Sequence, residues 1–146
     1  MKRTALFMTI AIALLSVSPC AKKRGGIVEL TPEQIEKLAR CVTEKGWVMY
    51  GTVGCSGCRA QRKGFGDSWP LINYVECDPH EAGAQPERCL ERNIGKTPAW
   101  ILEVDGAEVR RVESYQLLED LARETGCAAE IDGLEELLAE PELEAE

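Results

Sequence analysis

Two cysteines, Cys55 and Cys58 in the run WVMYGTVGCSGCRAQRK (47–63), have the residue type and spacing to do chemistry in this chain. On a helix, side chains at i and i+3 are neighbours, and two sulfurs at that separation can close a disulfide without strain. The pair can therefore exist as two thiols or as one bridge. Trp47, Val48, Met49, Tyr50 and Val53 have strand composition, and Gly51 and Gly54 punctuate the end of the run, so the stretch predicts strand, turn and helix. A helix that starts near Cys55 offers its unpaired N–H groups and positive dipole end to a thiolate. Cys55 is thus expected to be the more acidic and exposed sulfur, with Arg59, Arg62 and Lys63 adding positive field. The chemistry this predicts is thiol–disulfide exchange. Half of a zinc site is one alternative, which would need two further ligands nearby. A carrier that holds a soft ion such as Cu(I) between the two thiolates is another, from a different functional class.

The elements around the pair must place it on a stable frame, and 146 residues with 45% hydrophobic content are enough for one packed domain with extensions. The net charge of −8 comes from the tail: Ala129 to Glu146 holds eight acidic residues and no basic one, leaving 17 of each sign in the body. A neutral body without a clustered basic face excludes a nucleic-acid surface. Seven cysteines in a chain of this size point to an oxidising compartment. Lys2 and Arg3 followed by the apolar stretch Ala5 to Val17 read as an export signal over 1–20, too short to span a bilayer comfortably. Leu15-Ser16-Val17-Ser18-Pro19-Cys20 is similar to a lipoprotein signal, which makes Cys20 a candidate for lipidation. Pro19 stands where Gly or Ala is expected, and Lys22, Lys23 and Arg24 follow, so an uncleaved anchor is the alternative. The expected location is extracytoplasmic, periplasmic or secreted, with a membrane anchor through the N-terminus as one form.

Residues 21–30, with Gly25 and Gly26, read as a linker. Thr31-Pro32-Glu33-Gln34 is a helix start with a capping-box spacing, and Ile35, Leu38, Ala39 and Val42 recur at helical period until Gly46 stops the element, predicting a helix over 32–45. Strand 71–77 (LINYVEC) and a short polar helix over 84–93 carrying Cys89 follow the central strand and the Cys-x-x-C helix. Residues 99–104 and 107–112 form a hairpin across Asp105-Gly106, a pair suited to the tight two-residue turn. A last helix spans 115–125, with Leu117, Leu118 and Leu121 inward and Gly126 as its stop. The order of elements implies an α/β fold, a small mixed sheet with helices on both faces. The domain is placed at 31–127 and an acidic tail at 128–146. In that tail Ile131, Leu134, Leu137 and Leu138 share a face of a short helix, while the end beyond Pro141 has little to bury.

The element order, the Cys-x-x-C at a strand-to-helix junction and Thr97-Pro98 before a hairpin resemble the thioredoxin fold over about residues 32–127. More narrowly, MYGTVGCSGC, INYVECDP and AQPERC resemble the thioredoxin-like domain attached to bacterial vitamin K epoxide reductase homologues. The resemblance implies that Cys55 and Cys58 are catalytic and that Pro98 is cis beside them, with Thr97 and Pro98 binding substrate backbone. It also implies a structural disulfide between Cys77 and Cys89. No cofactor beyond the redox-active disulfide and no metal is implied. The implied partners are protein thiols or disulfides and, since the four-helix membrane part of the fused homologues is not in this chain, a separate membrane quinone-linked oxidoreductase. Two positions depart from thioredoxins: Gly54 stands where Trp is common, and Met49 where a buried Asp serves proton transfer. Water or another residue is then expected to move the proton of Cys58.

The only histidine, His80, falls in an Asp-Pro-His turn and reads as a solvated loop residue. Trp47, Trp69 and Trp100 read as packing residues. Cys41 and Cys127 are left after these assignments: parity suggests that they pair, whereas helices at the two ends of a thioredoxin fold commonly cover opposite faces of the sheet.

Overall fold

The computed structural model of the protein describes residues 28–139. The expected signal at 1–20 with Cys20, most of the linker and the end of the acidic tail lie outside the described residues. Helix α1 (Pro32–Glu44) begins at the capping box: Gln34 N–H donates to Thr31 Oγ1 at 3.3 Å, and Thr31 N–H donates to Gln34 Oε1 at 2.9 Å. Gly46, at φ +90°, turns the chain into strand β1 (Trp47–Gly51). A Cβ at Gly46 would sit 2.8 Å from the Glu103 carbonyl oxygen, so both the angle and the space call for glycine.

Helix α2 (Ser56–Phe65) follows, then a 3₁₀ segment over Gly66–Leu71 and strand β2 (Tyr74–Glu76). The strand expected over 71–77 is shorter because Gly66–Leu71 coils as 3₁₀ with Pro70 inside it. Helix α3 is Pro86–Glu91, inside the span expected from sequence. Strands β3 (Ala99–Val104) and β4 (Ala107–Glu113) form the predicted hairpin, with Asp105 at φ +51° and Gly106 at φ +78° as its two turn residues. Helix α4 (Leu118–Glu124) starts three residues later than expected, since residues 114–117 form the connection from β4.

The sheet order is β2-β1-β3-β4, with β1 parallel to β2 and antiparallel to β3, and β3 antiparallel to β4. The expected α/β fold with a mixed sheet is thus present. Alternation along the strands separates two cores. Trp47, Met49 and Trp100 point to one face, where they meet Leu38 and Val42 of α1, Phe65 of α2 and Leu121 of α4. Val48, Tyr50, Ala99 and Ile101 point to the other, where they pack with Val75 and with Cys89 of α3. Among the described residues helices therefore lie on both faces, with α1, α2 and α4 on the larger side and α3 on the smaller.

That distribution settles the two cysteines left over. Cys41 and Cys127 are bridged, with Cα atoms 6.0 Å apart. The expectation of opposite faces is overturned here, because α1 and α4 pack on the same face and bury Cys41 and Cys127 in one core. The implied Cys77–Cys89 bridge is also present, tying the end of β2 to α3. The folded unit runs past the expected boundary at 127. Ala128–Glu130 is a 3₁₀ turn, α5 (Leu134–Leu138) is the short helix expected in the tail, and Ile131 and Leu134 are buried against the main core. Burial of each is worth about 1.5–3 kcal/mol, enough to hold the first part of the acidic segment on the body. No helix among the described residues is long and apolar enough to cross a membrane.

Candidate functional site

Strand β1 ends at Gly51, and the chain turns through Thr52, Val53 and Gly54 before α2. Cys55 is the N-cap of α2, with an extended backbone, and its sulfur accepts the Cys58 N–H at 3.3 Å. A thiolate there takes the place that a Ser or Asp oxygen takes at other helix starts. Both thiols are unbridged in this structure; Cys55 is partly exposed and Cys58 buried, 5% exposed. The expected asymmetry of the two sulfurs is therefore present.

Their protonation follows from that placement. Burial opposes ionisation of Cys55, but hydrogen bonds from the Cys58 thiol, from Thr97 and from the N–H groups of Cys58 and Gly57 outweigh it and lower its pKa. Burial, reinforced by the neighbouring Cys55, pushes the Cys58 thiol up to about 11. The cationic side chains expected to supply positive field are turned to other work. Arg59 donates to the Val53 and Gly54 carbonyls at 3.3 and 2.8 Å, bracing the loop before Cys55, and Arg62 stacks over Trp69 at 4.9 Å. Lys63 is exposed on the far part of α2. The source of the lowered pKa is thus the hydrogen-bonded helix start. Titrating thiolate absorbance is expected to resolve two steps, one for Cys55 below the ordinary thiol value and one near 11 for Cys58. Two coincident steps at the ordinary thiol value would contradict this account.

Thr97 and Pro98 lie against the pair. The Thr97–Pro98 bond is cis, as the resemblance implied. In its thiol form Cys55 donates to the Thr97 carbonyl at 3.3 Å. A Cβ at Gly57 would sit 2.9 Å from Pro98 Cδ, so glycine between the two cysteines lets the Pro98 ring close on the helix start. Two further contacts hold that loop. Ser114 N–H donates to the Pro98 carbonyl at 2.8 Å, and fully buried Gln61 of α2 exchanges hydrogen bonds of 3.0 and 3.1 Å with the Gln116 backbone. Val53, two residues before Cys55, is exposed, and so is Tyr115, whose Cβ would sit 3.7 Å from a Cβ at Gly57.

Sequence reasoning missed Gln61, Gly57 and the side chains behind Cys58. A Cβ at Gly51 would lie 2.8 Å from Cys58 Sγ and 3.4 Å from Tyr74 Oη, so glycine at the strand end leaves these two groups a shared space. Tyr74 donates to Glu76 Oε2 at 2.7 Å. The signal for this pair was the i, i+2 spacing on β2, which puts both side chains on the face that looks toward α2. His80 is exposed, and its N–H donates to Asp78 Oδ1 at 3.0 Å. Among the described residues no group of three or more His, Cys, Asp or Glu side chains is placed to hold a metal ion. No protein-family model matches the chain.

Proposed function

We propose that this chain is an extracytoplasmic thiol–disulfide oxidoreductase of thioredoxin-like fold that exchanges disulfides through Cys55 and Cys58. The observation that carries the reading is the difference between the two sulfurs: a partly exposed Cys55 of lowered pKa at a helix start, and a buried Cys58 whose thiol is held protonated. In the oxidising direction a substrate thiolate attacks Cys55 in the Cys55–Cys58 disulfide, Cys58 leaves as a thiolate and is protonated, and a second substrate thiolate then displaces Cys55. In the reducing direction the Cys55 thiolate attacks a substrate disulfide, and Cys58 resolves the mixed disulfide. The contact of Thr97 with the Cys55 sulfur and the closeness of Pro98 to Gly57 support a role for both in binding substrate backbone, and exposed Val53 and Tyr115 offer apolar surface in the same region.

Two bridges support a compartment in which disulfides persist, and the signal-like N-terminal segment supports export. The similarity to the thioredoxin-like domain of vitamin K epoxide reductase homologues supports a membrane quinone-linked oxidoreductase as the electron partner. Cys20, if lipidated, would keep the two on one surface. Equilibration with glutathione buffers tests the reading: Cys55 and Cys58 are expected to behave as one reversible two-electron couple, and the protein to turn over a disulfide or dithiol substrate. A potential near about −270 mV would mark a reductase and one near about −120 mV an oxidant. Stoichiometric binding of a soft metal ion with no turnover would replace exchange by the carrier function.

A further inference from the structure

Behind Cys58 lies a cleft of about 20 Å³ whose lining includes Thr52, Arg62, Trp69 and Tyr74. That is room for one water, with the Cys58 thiol and the Tyr74 hydroxyl as polar partners. Since Sγ of Cys58 and Oη of Tyr74 lie 2.8 and 3.4 Å from the point where a Gly51 Cβ would stand, they are no more than about 6 Å apart, which brings them into the range that a bridging water can serve. Tyr74 passes the contact on to Glu76 at 2.7 Å, and the other oxygen of Glu76 accepts the Asp78 N–H at 2.8 Å. Glu76 is partly exposed, so a proton that reaches it can leave to solvent.

We infer that Tyr74 and Glu76 form a proton relay that removes the proton of Cys58 as Cys58 resolves a mixed disulfide on Cys55; the inference rests on the exchange reading above. In that step the Cys58 proton passes through the water to Tyr74 Oη while the Tyr74 proton moves to Glu76. The Cys58 sulfur attacks the Cys55 sulfur, the Cys55–Cys58 bond forms and the bond from Cys55 to the substrate breaks. The substrate leaves as a thiolate and takes a proton from solvent, to which Glu76 returns its own.

The other charged and titratable groups near the cleft cannot do this. Arg59 and Arg62 have no free lone pair to accept a proton, and Arg59 is bound to the Val53 and Gly54 carbonyls. Burial and the bond to Glu76 hold the Tyr74 phenol protonated, and Arg62, over its ring at 5.8 Å, offsets only a small part of that, so Tyr74 passes a proton on as it receives one rather than standing ionised. Cys55 is itself bonded to the substrate in the step concerned. Asp78 turns its carboxylate to the backbone N–H of His80.

The test uses the reduced protein and a symmetrical aromatic disulfide whose released thiolate absorbs visible light. The first equivalent reports attack by Cys55 and the second reports resolution by Cys58. In Tyr74→Phe, which keeps the ring, and in Glu76→Gln, which keeps an acceptor for Tyr74 but cannot hold the proton, the ratio of second to first rate at neutral pH is expected to fall about a hundredfold, at the low end of general-base effects. The deficit should close as pH approaches about 11, where hydroxide ionises Cys58 directly. A ratio within about threefold of wild type, or a deficit constant across pH, would overturn the relay while leaving exchange in place. A wild-type protein that releases no second equivalent would overturn the exchange reading and the relay with it.

Discussion

Cys55→Ser is expected to extinguish disulfide exchange, and Cys58→Ser to arrest it half way. With Cys55 gone, only Cys58 could attack, yet it is 5% exposed and its thiol is pushed up to about 11. At neutral pH about one such thiol in ten thousand is ionised. Since the thiolate is the nucleophile, turnover should drop by about a thousandfold or more, even though a more basic thiolate is intrinsically more reactive. With Cys58 gone, Cys55 keeps its helix-start hydrogen bonds from Gly57 and the Cys58-position N–H and still enters exchange. The intramolecular attack that frees the partner is lost, so mixed disulfides accumulate. Non-reducing gels from cells producing Cys58→Ser should show slower bands that vanish with reductant, one of them containing the proposed membrane oxidoreductase, and Cys55→Ser should show none. Cys55→Ser retaining a tenth of the wild-type rate would mean that the roles of the two cysteines are reversed.

The largest stability effect is expected at the bridge between Cys41 and Cys127. The two are 86 residues apart in sequence, against 12 for Cys77 and Cys89. On the chain-entropy account the longer loop contributes about 4.5 kcal/mol and the shorter about 3 kcal/mol. Domains of this size have only about 5–15 kcal/mol in total, so Cys41→Ala with Cys127→Ala should be marginally folded, with a melting temperature lower by roughly 15–20 °C. Cys77→Ala with Cys89→Ala should lose less and keep exchange at Cys55. Denaturant titrations of the two double variants measure both effects under one condition. Equal loss from the two, or a larger loss from the shorter loop, would show that strain or residual structure in the unfolded chain outweighs loop length.

Much of this architecture was legible in local sequence. The capping box at Thr31 and Gln34, the Asp105-Gly106 hairpin and the Gly126 stop each depend on a few adjacent residues, and each forms where expected. The candidate pair was legible for the same reason: a Cys-x-x-C at a strand-to-helix junction carries its own helix start, and with it the hydrogen bonds that lower the Cys55 pKa. Less was legible where a turn competes with a strand. Leu71 to Cys77 is rich in strand-forming residues, yet only Tyr74–Glu76 pairs with β1, because the chain up to Leu71 is committed to the 3₁₀ segment around Pro70.

By itself the sequence determined where the helix start at Cys55 lies and that a mixed sheet would carry it, while the Cys77–Cys89 bridge was implied by the family resemblance. Only the tertiary structure decided what those elements face. It put α1 and α4 on one side of the sheet, which brought Cys41 to Cys127 across most of the chain and drew Ile131 and Leu134 of the acidic segment into the core. It turned Arg59 and Arg62 away from Cys55 to a carbonyl pair and an aromatic stack, and set Tyr74 and Glu76 behind Cys58 across the gap at Gly51. The physical reason is range. Caps, turns and a Cys-x-x-C are fixed by hydrogen bonds within about four residues, whereas the face a helix covers and the neighbour a side chain meets follow from burying distant apolar residues together.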